Sequence, residues 1–199
     1  MRSPPFGWYP DKRGVFVGIF MYWMGKPGAM KALRAARELL ETATPLKTDC
    51  GRLCDKSCCQ SDETGENGMV LFPYEERFYR KAMEDFPLRL IPDGSVVKGG
   101  VRLVCEGHCP RERRPLACRL FPLRLRVSFG ESGTCPTAIP EIDPRSRVLC
   151  PLAEQARLNA MDPAFIAAAN AAGVLLVKNI FHLEFLVREQ ALLDNDLRL

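Results

Sequence analysis

Between Gly28 and Thr44 the chain places apolar residues at helical spacing. Met30, Leu33, Ala36, Leu39 and Leu40 recur through GAMKALRAARELLETAT, and good helix formers fill the remaining positions. The pattern predicts an amphipathic helix over 28–44, ended by Pro45. A second helix is predicted over PYEERFYRKAMEDF, with Pro73 in its first turn, acids just after it and Pro87 as its stop. The pattern then changes period. LRLIPDGSVVKGGVRLVC, with its Pro-Asp-Gly turn and Gly99-Gly100 pair, reads as short strands or a β-hairpin. Leu123, Leu125, Val127 and Phe129 alternate with Arg124 and Arg126, which is the mark of a half-buried strand, and a partner strand is expected beyond Gly130–Gly133. PLAEQARLNAM reads as helical. Asp162-Pro163 then caps a long apolar helical stretch, in which Gly173 is the expected break.

These elements predict an α+β fold, mainly α with short β-hairpins, in one compact domain. Residues 28–199 form that domain, and residues 1–27 are an N-terminal extension. In the extension, Lys12 and Arg13 precede VFVGIFMYWMG, an apolar run about half the length that spans a bilayer. It lacks a small-x-small cleavage site and is followed by Lys26, Lys31 and Arg34, so a buried strand or interfacial segment is expected, with no transmembrane span. Met21, Met24 and Met30 are further candidate starts. No internal repeat, low-complexity tract or Gly/Ser linker divides the chain.

The distribution of cysteine changes the picture most. All 9 cysteines fall between Cys50 and Cys150. Cys50, Cys54, Cys58 and Cys59 form a first knot, and Cys105, Cys109 and Cys118 form a second. Cys135 and Cys150 follow, each before a proline. One ion or cluster takes about four thiolates, so this crowding points to zinc or iron–sulfur ligation. The nine thiols suffice for two four-coordinate sites with one left over. On a helix Cys50, Cys54 and Cys58 would share a face, and an irregular loop could also bring them together. A disulfide framework fits less well. With 9 cysteines in 199 residues and 47% hydrophobic residues, the chain is far from a small stapled scaffold, and the count is odd. Metal ligation by thiolates implies a reducing compartment, so a cytoplasmic location is expected.

The formal net charge of +4 counts the thiols as neutral. A four-thiolate zinc site, or an oxidised four-iron (4Fe-4S) cluster with its ligands, carries about −2, so two such sites cancel the excess. The basic balance therefore does not point to nucleic acid. Arg111, Arg113, Arg114, Arg119, Arg124 and Arg126 flank Cys118, and their expected role is to offset thiolate charge. His108, inside CEGHC, is a possible zinc ligand or hydrogen-bond donor. His182, in the apolar C-terminal stretch, reads as an ordinary core or surface histidine. Phe72, Phe78, Tyr79 and Phe86 read as core aromatics. The C-x3-C-x2-C pattern of radical S-adenosylmethionine enzymes fails at Ser57, and no glycine-rich nucleotide fingerprint, Ser-His-Asp set or His-Glu-x-x-His motif is present.

Two segments carry a family resemblance. CGRLCDKSCC resembles the cysteine set ending in CC of the zinc- or iron-chelating CxxCxxCC family. CEGHCPRERRPLACRLFP resembles that family's C…C…RPxxCRxFP segment through Arg114-Pro115, Cys118-Arg119 and Pro122. The likeness covers roughly residues 50–122, and the first knot departs from it in having three-residue gaps. The resemblance implies a zinc ion or iron–sulfur cluster held by these cysteines. The family includes flagellin lysine-N-methylase, a considerably larger enzyme, so methyl transfer is an expectation by analogy alone. Three functions are thus expected: an iron–sulfur protein, slightly preferred, a structural zinc protein that presents a surface to a protein partner, and a protein-lysine methyltransferase.

Overall fold

The computed structural model describes residues 12–47, 54–60, 68–79, 88–105, 109–130, 136–154 and 158–196. The helix predicted over 28–44 is the second half of a longer one, α1 (Lys12–Leu39), which continues through Pro27. VFVGIFMYWMG is therefore helical, not a strand. Ala29, Leu33, Ala36 and Leu40 are fully buried at spacings of four, three and four, as one helical face requires.

The last carbonyls of α1 and the turn after it have no intrahelical donors. Arginines from a distant segment supply them. Arg111 donates from Nε to Glu41 O and from Nη2 to Leu40 O and Ala43 O, and Arg119 Nη1 donates to Arg37 O at 2.9 Å.

Three strands, β1 (Gly68–Val70), β2 (Leu88–Pro92) and β3 (Val101–Cys105), form an antiparallel sheet with β3 in the centre. Leu103 faces Met69 on one side and Leu90 on the other. The β2–β3 hairpin is the one expected from its Pro-Asp-Gly turn, whereas β1 is too short to show in the pattern. Of the helix predicted from Pro73, the described part is a single 3-10 turn, Glu75–Phe78. The remainder, from Arg80 to Pro87 and including Phe86, lies outside the described residues.

After the short helix α2 (Leu116–Leu120), β4 (Leu123–Phe129) pairs antiparallel with β5 (Pro136–Ile142), with Val127 opposite Ala138. Leu123, Leu125 and Val127 point into the core, as their alternation predicts. Arg124 is buried as well, where Glu141 and Asp194 both accept from it.

The single turn α3 (Pro151–Glu154) leads to α4 (Pro163–Leu176) and α5 (Ile180–Asp196). Asp162 caps α4 by accepting from Ala164 N at 2.9 Å, and Pro163 occupies its first turn. The break expected at Gly173 falls later, at Val177–Asn179, where the helix axes turn through 118°. Asn179 makes this break, because its Oδ1 accepts from Phe181 N and so caps α5. Gly173 is needed for packing. A Cβ there would stand 2.7 Å from Ala138 O of β5.

Leu33, Leu116, Leu123, Phe165, Leu176 and Phe185 centre a core shared by α1, α2, the β4–β5 hairpin, α4 and α5. Phe72 belongs to it, with its ring centroid 4.6 Å from that of Phe185. A smaller cluster of Leu71, Tyr79, Leu88 and Leu103 covers the three-stranded sheet. Among the described residues no single helix is long and apolar enough to cross a membrane.

Candidate metal centre

Three segments bring cysteines to one side of this frame. The first, residues 54–60, is not a helix but a tight irregular turn. Asp55 and Lys56 both have positive φ, at 45° and 54°, and the 3-10 turn Ser57–Cys59 follows. Ser57 N and Oγ both donate to Cys54 O, Cys59 N donates to Lys56 O and Gln60 Nε2 donates to Asp55 O. This curl leaves the Cys58 and Cys59 sulfurs 3.9 Å apart.

The second segment runs from Cys109 to Phe121. Besides its ties to α1, it is held from below by Glu75, a fully buried carboxylate. Glu75 accepts from Leu116 N at 2.7 Å, Phe72 N at 3.2 Å and Arg37 Nη1 at 2.6 Å. The first amide of α2 is thereby fixed, and α2 carries Cys118. Burial pushes the Glu75 carboxyl upward, while Arg37 and the two backbone donors pull it back. Arg119 spans the segment itself, donating to Arg114 O and Glu112 O.

The third segment is the turn Pro144–Val148 and the start of α3. Asp143 caps it by accepting from Arg145 N, and Cys150 N donates to Ser146 O at 2.8 Å.

Where the segments meet are two adjoining cavities. Cys58, Cys59, Cys109 and Cys118 line the larger, of about 130 Å³, together with Met69, Leu103, Phe121, Leu149, Arg114 and Arg145. Cys54, Cys58, Cys59, Cys118 and Cys150 line the smaller, of about 40 Å³, and Arg114 reaches this one too.

The thiols feel one another. The Cys58 thiol is pushed well above its ordinary range, first by its hydrogen bond with Cys59 and by burial, then by the charges of Cys59, Cys118 and Cys54. Burial raises Cys150 in the same direction, with a further contribution from Cys54. Thiolates crowded in this way repel, and a cation among them reverses the effect.

Of the nine cysteines proposed as ligands, the structure brings together Cys54, Cys58, Cys59, Cys109, Cys118 and Cys150 along the two cavities. Cys105 lies at the end of β3, opposite Leu88, and its side chain is not described. Cys50, Cys135 and His108 lie outside the described residues. Among the described residues no group of three or more Cys, His, Asp or Glu side chains already stands in an arrangement that could hold an ion. Binding therefore requires the thiols to close in on the cavities.

The arginines divide differently from the expectation. Of the six between Arg111 and Arg126, only Arg114 lines the cavities. Arg111 and Arg119 serve backbone carbonyls, and Arg124 and Arg126 serve Glu141. Arg145 and Glu75 escaped the sequence reading, since nothing local distinguishes them from surface charges. His182 is a core residue with no exposed area, and its Nε2 donates to Ala29 O. The chain matches no family model, no curated protein and no solved structure.

Proposed function

We propose that this chain is a metal-binding protein whose clustered thiolates hold zinc or an iron–sulfur cluster, in keeping with its resemblance to the CxxCxxCC family. One observation carries the reading: six cysteines from three separate segments line two adjoining cavities. Sulfur is a soft donor that suits zinc and iron–sulfur centres, and no acid or histidine competes with the thiols along either described lining.

The spacing of the vicinal pair favours zinc. The 3.9 Å between the Cys58 and Cys59 sulfurs is close to the edge of a tetrahedron built on metal–sulfur bonds of about 2.3 Å, which is about 3.8 Å. In a four-iron cluster each iron takes one thiolate, which sets protein sulfurs farther apart. A different observation supports the cluster. The larger cavity of about 130 Å³ far exceeds the roughly 10–15 Å³ that a single water molecule needs.

With every position filled by thiolate, an ion acts on the fold and not on a substrate, by joining residues 54–59 to 109–118 and 150. Such a centre suits a structural protein of a reducing compartment, presenting a surface to a protein partner.

Anaerobic purification followed by iron, zinc and sulfide analysis and a visible spectrum tests the reading. Colourless protein with zinc supports the first form, and brown protein with equal iron and sulfide supports the second. Cys58→Ser and Cys118→Ser should each lower the metal content. A chain that carries no metal and takes up none on reconstitution ends the proposal.

A further inference from the structure

We infer that the six thiols form one binuclear centre, in which two tetrahedral divalent cations, one in each cavity, share bridging thiolates. The inference rests on the proposed metal-binding function and goes beyond it. Nine cysteines by themselves suggest two separate four-thiolate sites, but the structure places the cavities side by side with a common wall.

Three cysteines belong to that wall. Cys58, Cys59 and Cys118 line both cavities, Cys109 lines only the larger, and Cys54 and Cys150 line only the smaller. Two tetrahedra that share an edge need six donors instead of eight, because two of the donors count twice. The described thiols meet that requirement in number, and closing in on the cavities would supply the geometry. The ion in the larger cavity takes Cys109 and the three wall cysteines. The ion in the smaller cavity takes Cys54, Cys150 and two of the same three. Among the described thiols of the two linings no donor is left over.

The surroundings offset part of the charge. Two divalent ions among six thiolates carry a net −2. Two guanidinium groups stand against the centre, Arg114 at both cavities and Arg145 at the larger. Among the described residues Arg114 has no carboxylate partner, and its Nε donates to Cys109 O at 3.2 Å. A cation without an acid beside it is what a thiolate-rich centre calls for. Arg145 is already held by Asp143 and Glu189, which fixes its position at the rim.

Cadmium is the probe that reads bridging directly. The full chain, reduced and metal-free, is loaded with cadmium-113 and examined by elemental analysis and by cadmium NMR. Two cadmium ions per chain are expected, giving two resonances in the all-thiolate range, split by scalar coupling through the shared sulfurs. Cys109→Ser should displace one resonance and Cys54→Ser the other, with circular dichroism confirming that each variant is folded. The wild-type coupling decides the matter even if a variant fails to fold. One ion per chain, two uncoupled resonances, or native protein carrying iron with sulfide would overturn the binuclear centre while leaving thiolate metal binding intact. Failure to bind cadmium at all would overturn both.

Discussion

Replacing the buried carboxylate of Glu75 tests how the second cysteine segment is held. The side chain is fully buried against an Arg37 side chain only 12% exposed. It accepts from three donors, Arg37 Nη1, Leu116 N and Phe72 N. Glu75→Gln keeps the shape and one acceptor oxygen but turns an amide NH₂ toward a donor and removes the charge. The lost charge-assisted bond and the donor left facing it amount to about 1.5–3 kcal/mol. Glu75→Ala leaves the Leu116 and Phe72 amides unmatched and takes the buried carboxylate from a guanidinium that, among the described residues, keeps the neutral acceptors Tyr79 Oη and Glu112 O, at a cost of about 3–5 kcal/mol. Urea unfolding followed by circular dichroism measures both, provided the slopes agree with wild type. A graded loss, alanine worse than glutamine, is the expected result. A glutamine variant within about 0.5 kcal/mol of wild type and an alanine variant below about 1 kcal/mol would refute the reasoning, since differences that small are typical of surface changes. Such a result would mean that α2 is positioned by packing alone.

Gly173→Ala should destabilise the protein although alanine favours a helix by about 1 kcal/mol. The new methyl would stand 2.7 Å from Ala138 O, and a thermal melt lower than wild type by several degrees checks this. His182 supplies a pH dependence. Burial lowers its pKa below the ordinary 6.5, Nε2 donates to Ala29 O, and Nδ1 is buried without a partner. The unfolded chain therefore takes up the proton first. The stability that the neutral ring contributes is complete above about pH 6.5 and is lost on acidification at up to about 1.4 kcal/mol per pH unit, until the folded ring itself protonates. Unfolding midpoints at pH 7.5 and 5.5 should differ more for wild type than for His182→Gln. Equal differences would show that other groups carry the dependence.

The sequence revealed the periodic parts of the fold and hid the contingent ones. Leu33, Ala36 and Leu40 announced their helix, Leu123 to Val127 their strand, and Asp162-Pro163 its cap, because each rule involves neighbours in the chain. Gly173 misled for the opposite reason. Its conformational freedom is a local property, whereas its role is set by β5, and the actual break came from the side chain of Asn179. The first cysteine knot showed that thiols gather but not how, since a turn through two left-handed residues leaves no periodic trace. The arginines illustrate the limit most clearly. Six in sixteen residues around a cysteine suggested one shared electrostatic role, yet Arg111 and Arg119 found carbonyls at the end of α1, which no spacing rule connects to them.

The two walls of the cavities are built in unequal ways, and this governs how an ion would enter. Cys109 and Cys118 ride on a segment fastened to α1 by Arg111 and Arg119 and to Glu75 through Leu116. The turn carrying Cys54, Cys58 and Cys59 is shaped by hydrogen bonds that close within it. One wall is thus preorganised by the body of the protein, and the other draws its shape from its own backbone turn, where each backbone residue newly fixed costs about 1–2 kcal/mol. If the proposed centre holds an ion, its affinity and release rate would depend on the loop as well as the frame, and global stability on the frame. A change at Lys56 should alter how long an ion stays more than it moves the unfolding midpoint of the metal-free chain, whereas a change at Arg111 should shift both.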